Sequence, residues 1–198
     1  MAREDGTVSH NGKMPEERRV AILAAARRAV GRRGYSATSM RDIAKEAGVA
    51  QALLHYYYLT KEALLVAVVR AMLDEQLSRL RDELSVATEP RGRALAGIAA
   101  ARDKTLGDRR QWRLFFEVLA ADSRSGRGAL ASSFAQRREL VATVVAGTKG
   151  RDNAQTIALV VDALMLGLAA ERLAGVPDAD VAAAYELLVD LLDRAPAD

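Results

Sequence analysis

An all-α fold is predicted for this chain of 198 residues. Ala, Leu, Arg and Glu are abundant, and apolar residues recur at spacings of three and four rather than two. Breaks rich in Gly and Pro separate segments of helical length. Apolar residues make up 50% of the chain and charged residues 28%, which is typical of a folded protein rather than a disordered one.

The first helix is predicted to begin at Pro15, a residue suited to a first turn, and to stop at Gly34. Residues 1–14, rich in Gly, Asn, Ser and charge, are expected to form a mobile arm before it. The positions of this helix expected to face the core are Val20, Ile22, Leu23, Ala26 and Val30.

A second, short helix is predicted after Thr38 or Ser39, either of which can cap it, and it ends at Gly48. A third helix follows from Gln51 to about Tyr58. Two short helices joined by a turn make a helix-turn-helix, whose second helix can lie in the major groove of DNA.

Thr60 is expected to cap a long fourth helix from Lys61 to about Leu84. Beyond Pro90 the pattern predicts five more helices, near 91–106, 109–121, 127–147, 152–173 and 179–193. The expected organisation is an arm at 1–14, a DNA-binding domain at 15–60 and a larger helical domain at 61–198 for ligand binding and dimerisation.

The charge distribution agrees with this division. Residues 1–61 carry 11 Lys or Arg against 6 Asp or Glu, whereas the rest carries 18 against 20. A local basic excess suits a module that binds a polyanion, although an ordinary solvated surface would give the same pattern.

Residues 47–63, AGVAQALLHYYYLTKEA, concentrate aromatic residues in a chain with only 5% of them. A helix through this stretch turns Leu54 and Tyr58 toward the core and the next positions outward. A glutamine amide can donate to and accept from a base edge, and tyrosine hydroxyls can donate to phosphate oxygens. The positions expected to point outward are Gln51, Ala52, His55 and Tyr56.

These residues resemble the TetR family of bacterial transcriptional regulators. The resemblance covers Arg19 to Leu65, about a quarter of the chain, and includes Gly34-Tyr35, Thr38-Ser39, Ile43-Ala44, Ala47-Gly48-Val49, Leu54, Tyr57-Tyr58 and Lys61-Glu62-Ala63-Leu64. The resemblance implies a homodimer that binds a palindromic operator on double-stranded DNA, and a repressor that a small-molecule ligand releases. The candidate DNA contacts are Thr38, Ser39, Arg41, Gln51, Ala52, Leu53, His55, Tyr56, Tyr57 and Lys61.

Four positions depart from the family pattern, and one of them is Ala52, which stands where the family usually has Gly. Ala50 replaces a Ser or Thr, so the third helix is expected to lack a side-chain cap, a loss of about 1 kcal/mol. Ala52 and Leu53 make the reading surface more apolar, and Leu53 suits a thymine methyl group. His55 replaces a phosphate-binding Tyr, and either donates a hydrogen bond near DNA or is solvated on the surface.

The larger domain is expected to take an apolar ligand, because bulky, adaptable side chains recur on its helices. The same residues would also serve as plain core. The candidate ligand-binding residues are Met72, Gln76, Arg102, Trp112, Phe115, Phe116 and Met165. Asp162 is a further polar candidate, although an acid in an apolar helix is more often the structural partner of an arginine.

Dimerisation is expected through residues 152–173 and 179–193. The first of these segments is too apolar for burial on one side only, and its small residues Ala158, Ala163, Gly167 and Ala170 would allow close helix approach.

An enzyme is not expected from this sequence. His occurs only at positions 10 and 55, no Cys is present, and neither a phosphate-binding glycine loop nor a nucleophile motif is visible, so no catalytic residue, metal site or cofactor is predicted. No secretory signal or membrane span is found, which predicts a cytoplasmic protein. The alternative function is a helical interaction module whose basic end binds acidic protein or membrane surfaces without operator specificity.

Overall fold

A computed structural model describes residues 15–125, 128–149 and 153–194. The described residues form nine helices and no strand, which confirms the all-α prediction. In chain order the helices are α1 Glu16–Arg33, α2 Met40–Ala47, α3 Gln51–Tyr57, α4 Lys61–Val86, α5 Pro90–Leu106, α6 Arg109–Ser125, α7 Ala131–Lys149, α8 Ala154–Ala174 and α9 Asp178–Arg194. The predicted arm at 1–14 lies outside the described residues.

The helix boundaries in the N-terminal part of the chain agree with the prediction because capping residues determine them. The backbone N–H of Gly34 donates to the carbonyl of Val30 at 2.8 Å and closes α1. The Thr60 hydroxyl accepts a hydrogen bond from the backbone N–H of Ala63 at 3.1 Å and begins α4. The inward positions of α1 were also predicted correctly except for Val20, which is 54% exposed.

The boundary between α6 and α7 was predicted wrongly. The predicted helix ended near residue 121, but α6 continues to Ser125, and α7 begins at Ala131 rather than 127. The buried carboxylate of Asp122 accepts hydrogen bonds from the backbone N–H groups of Ala129 and Leu130, at 3.2 and 3.3 Å. Asp122 therefore stays within α6 and supports the turn that precedes α7, a role that requires the tertiary arrangement.

One continuous core joins the N-terminal helices to the larger helical unit. It includes Ile22 of α1, Leu54 of α3, Leu65 of α4, Trp112 of α6 and Met165 of α8. The 26 residues of α4 give it a length of about 39 Å, so it runs from the helix-turn-helix into the larger unit.

Buried polar contacts fix the far end of the larger unit. Arg172 donates to the carbonyl oxygens of Thr105 and Gly107 at 3.0 and 2.7 Å and pairs with Asp178 at 2.9 Å. This pairing and that with Arg109 lower the pKa of Asp178. The Tyr185 hydroxyl lies 2.7 Å from that of Thr105. The ends of α5, α8 and α9 are therefore held together.

Within the described ranges no single helix is both long and apolar enough to cross a membrane. The pair α3 and α4 has that length and composition only when taken together, and it is bent by 71°.

Candidate functional site

Local chemistry determines both ends of α2, and thereby the turn that leads to α3. The Ser39 hydroxyl accepts from the backbone N–H of Asp42 at 3.1 Å, and the Asp42 carboxylate accepts from the backbone N–H of Ser39 at 3.0 Å. This reciprocal cap begins α2. At its other end Gly48 has a φ of 66°, which glycine adopts at little cost. The next helix therefore leaves the turn in a defined direction.

The helix α3, the second helix of the helix-turn-helix, has only seven residues and is held by packing rather than by its own cap. Ala50 precedes it without a side-chain hydrogen bond, as predicted. Leu54 is fully buried and lies in the same core as Ile43 and Ala44 of α2. Because short helices are marginal alone, burial of Leu54 is what keeps α3 in place.

The outward face of α3 is the predicted one. Gln51, Ala52, His55 and Tyr56 are exposed, and Leu53 is half-buried beside them. The amide nitrogen of Gln51 lies 3.3 Å from Nε2 of His55. An unprotonated Nε2 can accept from this amide, leaving the glutamine oxygen and its second N–H available to a ligand. The structure thus places His55 beside Gln51, a contact that sequence analysis did not predict.

The three consecutive tyrosines have different surroundings. Tyr56 is 60% exposed, and its ring meets the edge of the half-buried Tyr57 at 4.9 Å between centroids. Tyr58 is half-buried against the core, as predicted, and burial raises the pKa of its hydroxyl. Tyr56 and Tyr57 therefore remain candidates for phosphate contacts, whereas Tyr58 is structural.

The other candidate DNA contacts differ in availability. Thr38 is buried and donates its hydroxyl to the Gly34 carbonyl at 2.8 Å, so its position does not support a side-chain contact with DNA. The exposed Ser39 hydroxyl donates to Asp42 at 2.6 Å, and Arg41 is exposed. The Lys61 ammonium donates to the Tyr35 carbonyl at 3.1 Å and lies 4.6 Å from that ring's centroid. Lys61 is thus positioned, with two further N–H donors for a phosphate.

Several basic residues of the N-terminal unit are neutralised within the chain. Arg28 and Arg32 pair with Glu46, and their hydrogen bonds lower its pKa. Arg33 pairs with Asp42 at 2.5 Å; the pKa of that carboxyl is lowered first by Ser39 and then by Arg33. In the described part of the chain Arg41, Lys45 and Lys61 form no ion pair; they are charges of α2 and the start of α4. A part of the basic excess that is available to a polyanion is therefore close to α3.

A cavity of about 990 Å³ lies in the larger unit among α4, α5, α7, α8 and α9. Three of the predicted ligand-binding residues, Met72, Gln76 and Met165, line it. The same three residues line a smaller adjoining space of about 20 Å³ together with Trp112 and Phe115. The larger volume is at the upper end of the range for small-molecule sites.

The remaining two ligand candidates lie elsewhere. Arg102 pairs with Asp103 at 3.1 Å and does not line either of these cavities. Phe116 stacks on Trp112, with 5.9 Å between ring centroids, and packs against the core. The surroundings of Arg102 therefore suit a surface ion pair, and those of Phe116 suit a residue of the core.

Sequence reasoning missed the residues that create the cavity. On α5 the stretch from Ala94 to Ala101 consists mostly of Ala and Gly, and six of these small residues line the space. Side chains of this size cannot fill the distance between α4 and α7. The signal was present as a run of small residues in a segment of helical length, without large core positions.

Lys104 is a second residue that sequence reasoning missed. It lies at the cavity wall, where its ammonium donates to the Gln111 side-chain oxygen at 3.3 Å and lies 5.5 Å from the centroid of the Trp112 ring. The Trp112 indole N–H donates to the carbonyl of Lys104 at 3.1 Å. Burial, and then the nearby charge of Arg27, lower the pKa of Lys104 to about 8.

This pKa shift predicts a measurable dependence of stability on pH. Between about pH 8 and the ordinary lysine value of 10.5, the unfolded chain binds more protons at Lys104 than the folded chain, so the free energy of unfolding should rise with pH. The slope should stay below about 1.4 kcal/mol per pH unit, because the ammonium keeps partial solvent contact. Urea unfolding at several pH values should show that Lys104→Met loses this rise. The exposed control Lys45→Met should retain it, and equal slopes in both variants would contradict the burial of the ammonium.

Comparison with known proteins finds similarity that is concentrated in the helix-turn-helix. A model of the bacterial regulatory proteins of the tetR family matches residues 22–68, which include α2, α3 and the start of α4. The HTH-type transcriptional regulator BetI of Rhizobium meliloti (strain 1021) is 40% identical over 89 residues, which cover 43% of this chain and 42% of that protein.

The HTH-type transcriptional activator FasR of Mycolicibacterium smegmatis is 34% identical over 116 residues, covering 58% of this chain and 53% of that protein. The chain thus spans about half the length of these relatives. The whole fold is similar to the crystal structure of a Saccharomonospora viridis protein in complex with choline, with a TM-score of 0.76 and 22% identity over 93% of this chain and 100% of the other.

Proposed function

Because the chain belongs to the TetR family of bacterial transcriptional regulators, which are not enzymes, we propose that it represses transcription from a palindromic operator and is released by a small, mainly apolar ligand. Residues 15–60 bind DNA in this proposal, and residues 61–198 bind the ligand and the second subunit. The observation that carries the proposal is the exposed face of α3, with Gln51, His55 and Tyr56 presented by a glycine turn.

Gln51 is the residue proposed to read the operator. It lies at the start of α3, where side chains of a recognition helix contact base edges, and its amide is positioned by His55. Tyr56, Tyr57 and Lys61 surround this face with hydrogen-bond donors suited to phosphate oxygens. The arrangement separates one residue that discriminates bases from several that contact the DNA backbone.

A homodimer is proposed from the outer faces of α8 and α9. On α8, Leu159 and Val160 are 50% and 61% exposed, and on α9, Leu187 is 58% exposed. Two such faces related by a two-fold axis would bury these side chains in a four-helix bundle. Within the segment 179–193, whose apolar residues Val181, Tyr185 and Leu192 the sequence also offers for contact with the partner, Val181 and Tyr185 are buried within the subunit instead. The side chain of Leu192 lies outside the described residues.

The proposed release acts through α4. This helix begins beside α3 at Lys61 and carries Met72, Gln76 and Leu80 on the cavity wall. Two recognition helices fit successive major grooves only when they lie about 34 Å apart. A ligand can change this spacing if it binds more tightly to a conformation in which α4 is displaced. Such a ligand shifts the population toward the conformation that it prefers.

The decisive experiment measures binding to an operator selected by the protein from a random DNA library and to unrelated DNA, over a salt series. Gln51→Ala should lose about 1 to 3 kcal/mol of binding free energy on the operator, and little binding free energy on unrelated DNA. Lys61→Ala should weaken binding to both and make the salt dependence shallower by about one ion per subunit.

Arg81→Ala serves as the matched control, since it removes an exposed cation from the distant half of α4 and should leave both affinities unchanged. An equal loss on both DNAs for Gln51→Ala would contradict base reading. If no operator can be selected, the chain is better described as a module that binds acidic surfaces without sequence specificity.

A further inference from the structure

A buried ion pair lies on the wall of the large cavity. Arg137 of α7 and Asp162 of α8 are 2.6 Å apart between Nη2 and Oδ1, and their side chains are only 16% and 7% exposed. Asp162 thus has the arginine partner that sequence analysis favoured. The pair as a whole carries no net charge.

The hydrogen bonds of this pair are incomplete. Nη2 and Oδ1 are close but not aligned as a hydrogen bond, and Nε of Arg137 has no partner either. These three atoms are the buried side-chain nitrogens and oxygens without a hydrogen-bond partner in the part of the chain that the structure describes. The remaining donor, Nη1, meets the sulfur of Met165 at 3.1 Å, a weak acceptor. Unmet hydrogen bonding of buried charged groups is costly, so a group that completes it is bound favourably.

Burial disfavours an additional charge beside this pair, whereas other parts of the cavity wall carry the charged side chains of Arg27, Glu75, Arg79, Glu83, Asp103 and Asp108. Burial raises the pKa of Asp162 and lowers that of Arg137, so for both groups it opposes the charged form. Beside the pair the cavity wall is formed by Val141, Val161 and Met165. A ligand ion placed here would pair with one partner and leave the other without its counter-charge.

We propose that Arg137 and Asp162 bind a neutral polar group at the end of an apolar effector, one that accepts from the guanidinium and donates to the carboxylate. A carboxamide or a hydroxyl has this chemistry, and the apolar remainder would lie along the small side chains of α5. The inference rests on the proposed ligand-responsive function and adds the chemical class of the ligand. Lys104, a half-buried cation on the same wall, already donates to Gln111 and faces Trp112.

The test compares three probes with the same alkyl chain, decanamide, decanoate and decyltrimethylammonium, by Trp112 fluorescence and thermal stabilisation of the DNA-free protein. Decanamide should bind about tenfold more tightly than either ion, because it alone satisfies both partners. Asp162→Asn leaves the arginine unpaired and should shift the preference to decanoate. Arg137→Met leaves the carboxylate unpaired and should shift it to decyltrimethylammonium.

A double variant keeps the test decisive if the single variants do not fold. Arg137→Met with Asp162→Leu replaces the pair by apolar side chains, a change that folded proteins commonly tolerate. This variant should lose the preference for decanamide. Glu139→Gln is the matched control, because Glu139 accepts from Gln155 at 2.8 Å on the exposed side of the same helix pair and does not line the cavity.

The outcomes separate the head group from the proposed function. Equal binding of the three probes, tighter binding of either ion to the unmodified protein, or no binding of any probe would overturn the assignment. Release of operator DNA is measured separately with the tightest probe. If saturated protein still holds its operator, the proposed release fails even where the preference for decanamide stands.

Discussion

Leu54→Ala is expected to abolish operator binding by destabilising the helix-turn-helix. Leu54 is fully buried, and it lies in one core with Ile43 of α2 and Leu65 of α4. Truncating a buried leucine costs about 2 to 5 kcal/mol. The loss cannot be offset locally, because α3 has seven residues and no side-chain cap at Ala50. Urea unfolding followed by circular dichroism, together with binding to the selected operator, measures both effects.

Leu59→Ala is the control for this prediction. Leu59 lies five residues after Leu54 and loses the same atoms on substitution by alanine, but its side chain is 83% exposed. The free energy of unfolding of the Leu59→Ala variant should therefore differ from that of the unmodified protein by no more than about 0.5 kcal/mol. Similar destabilisation by the two substitutions would show that Leu54 does not anchor α3 as described.

Leu159→Glu combined with Leu187→Glu should convert the proposed dimer into a monomer. Both leucines are about half exposed on the subunit, and each change would place a carboxylate in the proposed interface without a partner. Affinity for a two-site operator should fall by about a hundredfold or more, because the second recognition helix is no longer held near its half-site. Sedimentation at micromolar concentration and operator titration give the two measurements.

The control places the same charge on another exposed apolar position. Val86→Glu changes a residue that is 82% exposed at the end of α4, and it should leave the mass and the affinity unchanged. Circular dichroism checks that each variant keeps its helices. A dimeric mass for the double leucine variant would show that α8 and α9 do not hold the subunits together.

The helix boundaries that could be predicted from the sequence are those determined by neighbouring residues. Ser39, Gly48 and Thr60 act on backbone groups within a few positions of themselves, so local chemistry identifies the ends of α2 and the start of α4. Asp122 instead accepts from backbone groups seven and eight residues away, across a turn. A contact of that kind cannot be recognised from helical periodicity, and this boundary was predicted wrongly.

The same distinction holds for the candidate site. The outward face of α3 follows from the positions of Leu54 and Tyr58, because a helix fixes the directions of its side chains. The inward hydroxyl of Thr38 and the contact between Lys61 and the Tyr35 carbonyl depend on tertiary structure. The cavity was the least predictable feature, since it results from side chains that are too small on α5 rather than from any residue with a distinctive chemistry.

The continuous core limits where this chain can be joined to a segment of a related protein in a chimera. Leu65 on α4 completes the core around Leu54, while Met72 on the same helix and Trp112 on α6 extend it toward the large cavity. A hybrid regulator joined between residues 60 and 61 would bring foreign side chains against Ile22 and Leu54. The unit of recombination is therefore the DNA-binding helices together with the first half of α4 and its partners on α6. Substitutions on the exposed face of α3 or on the cavity wall, by contrast, would leave this core unchanged.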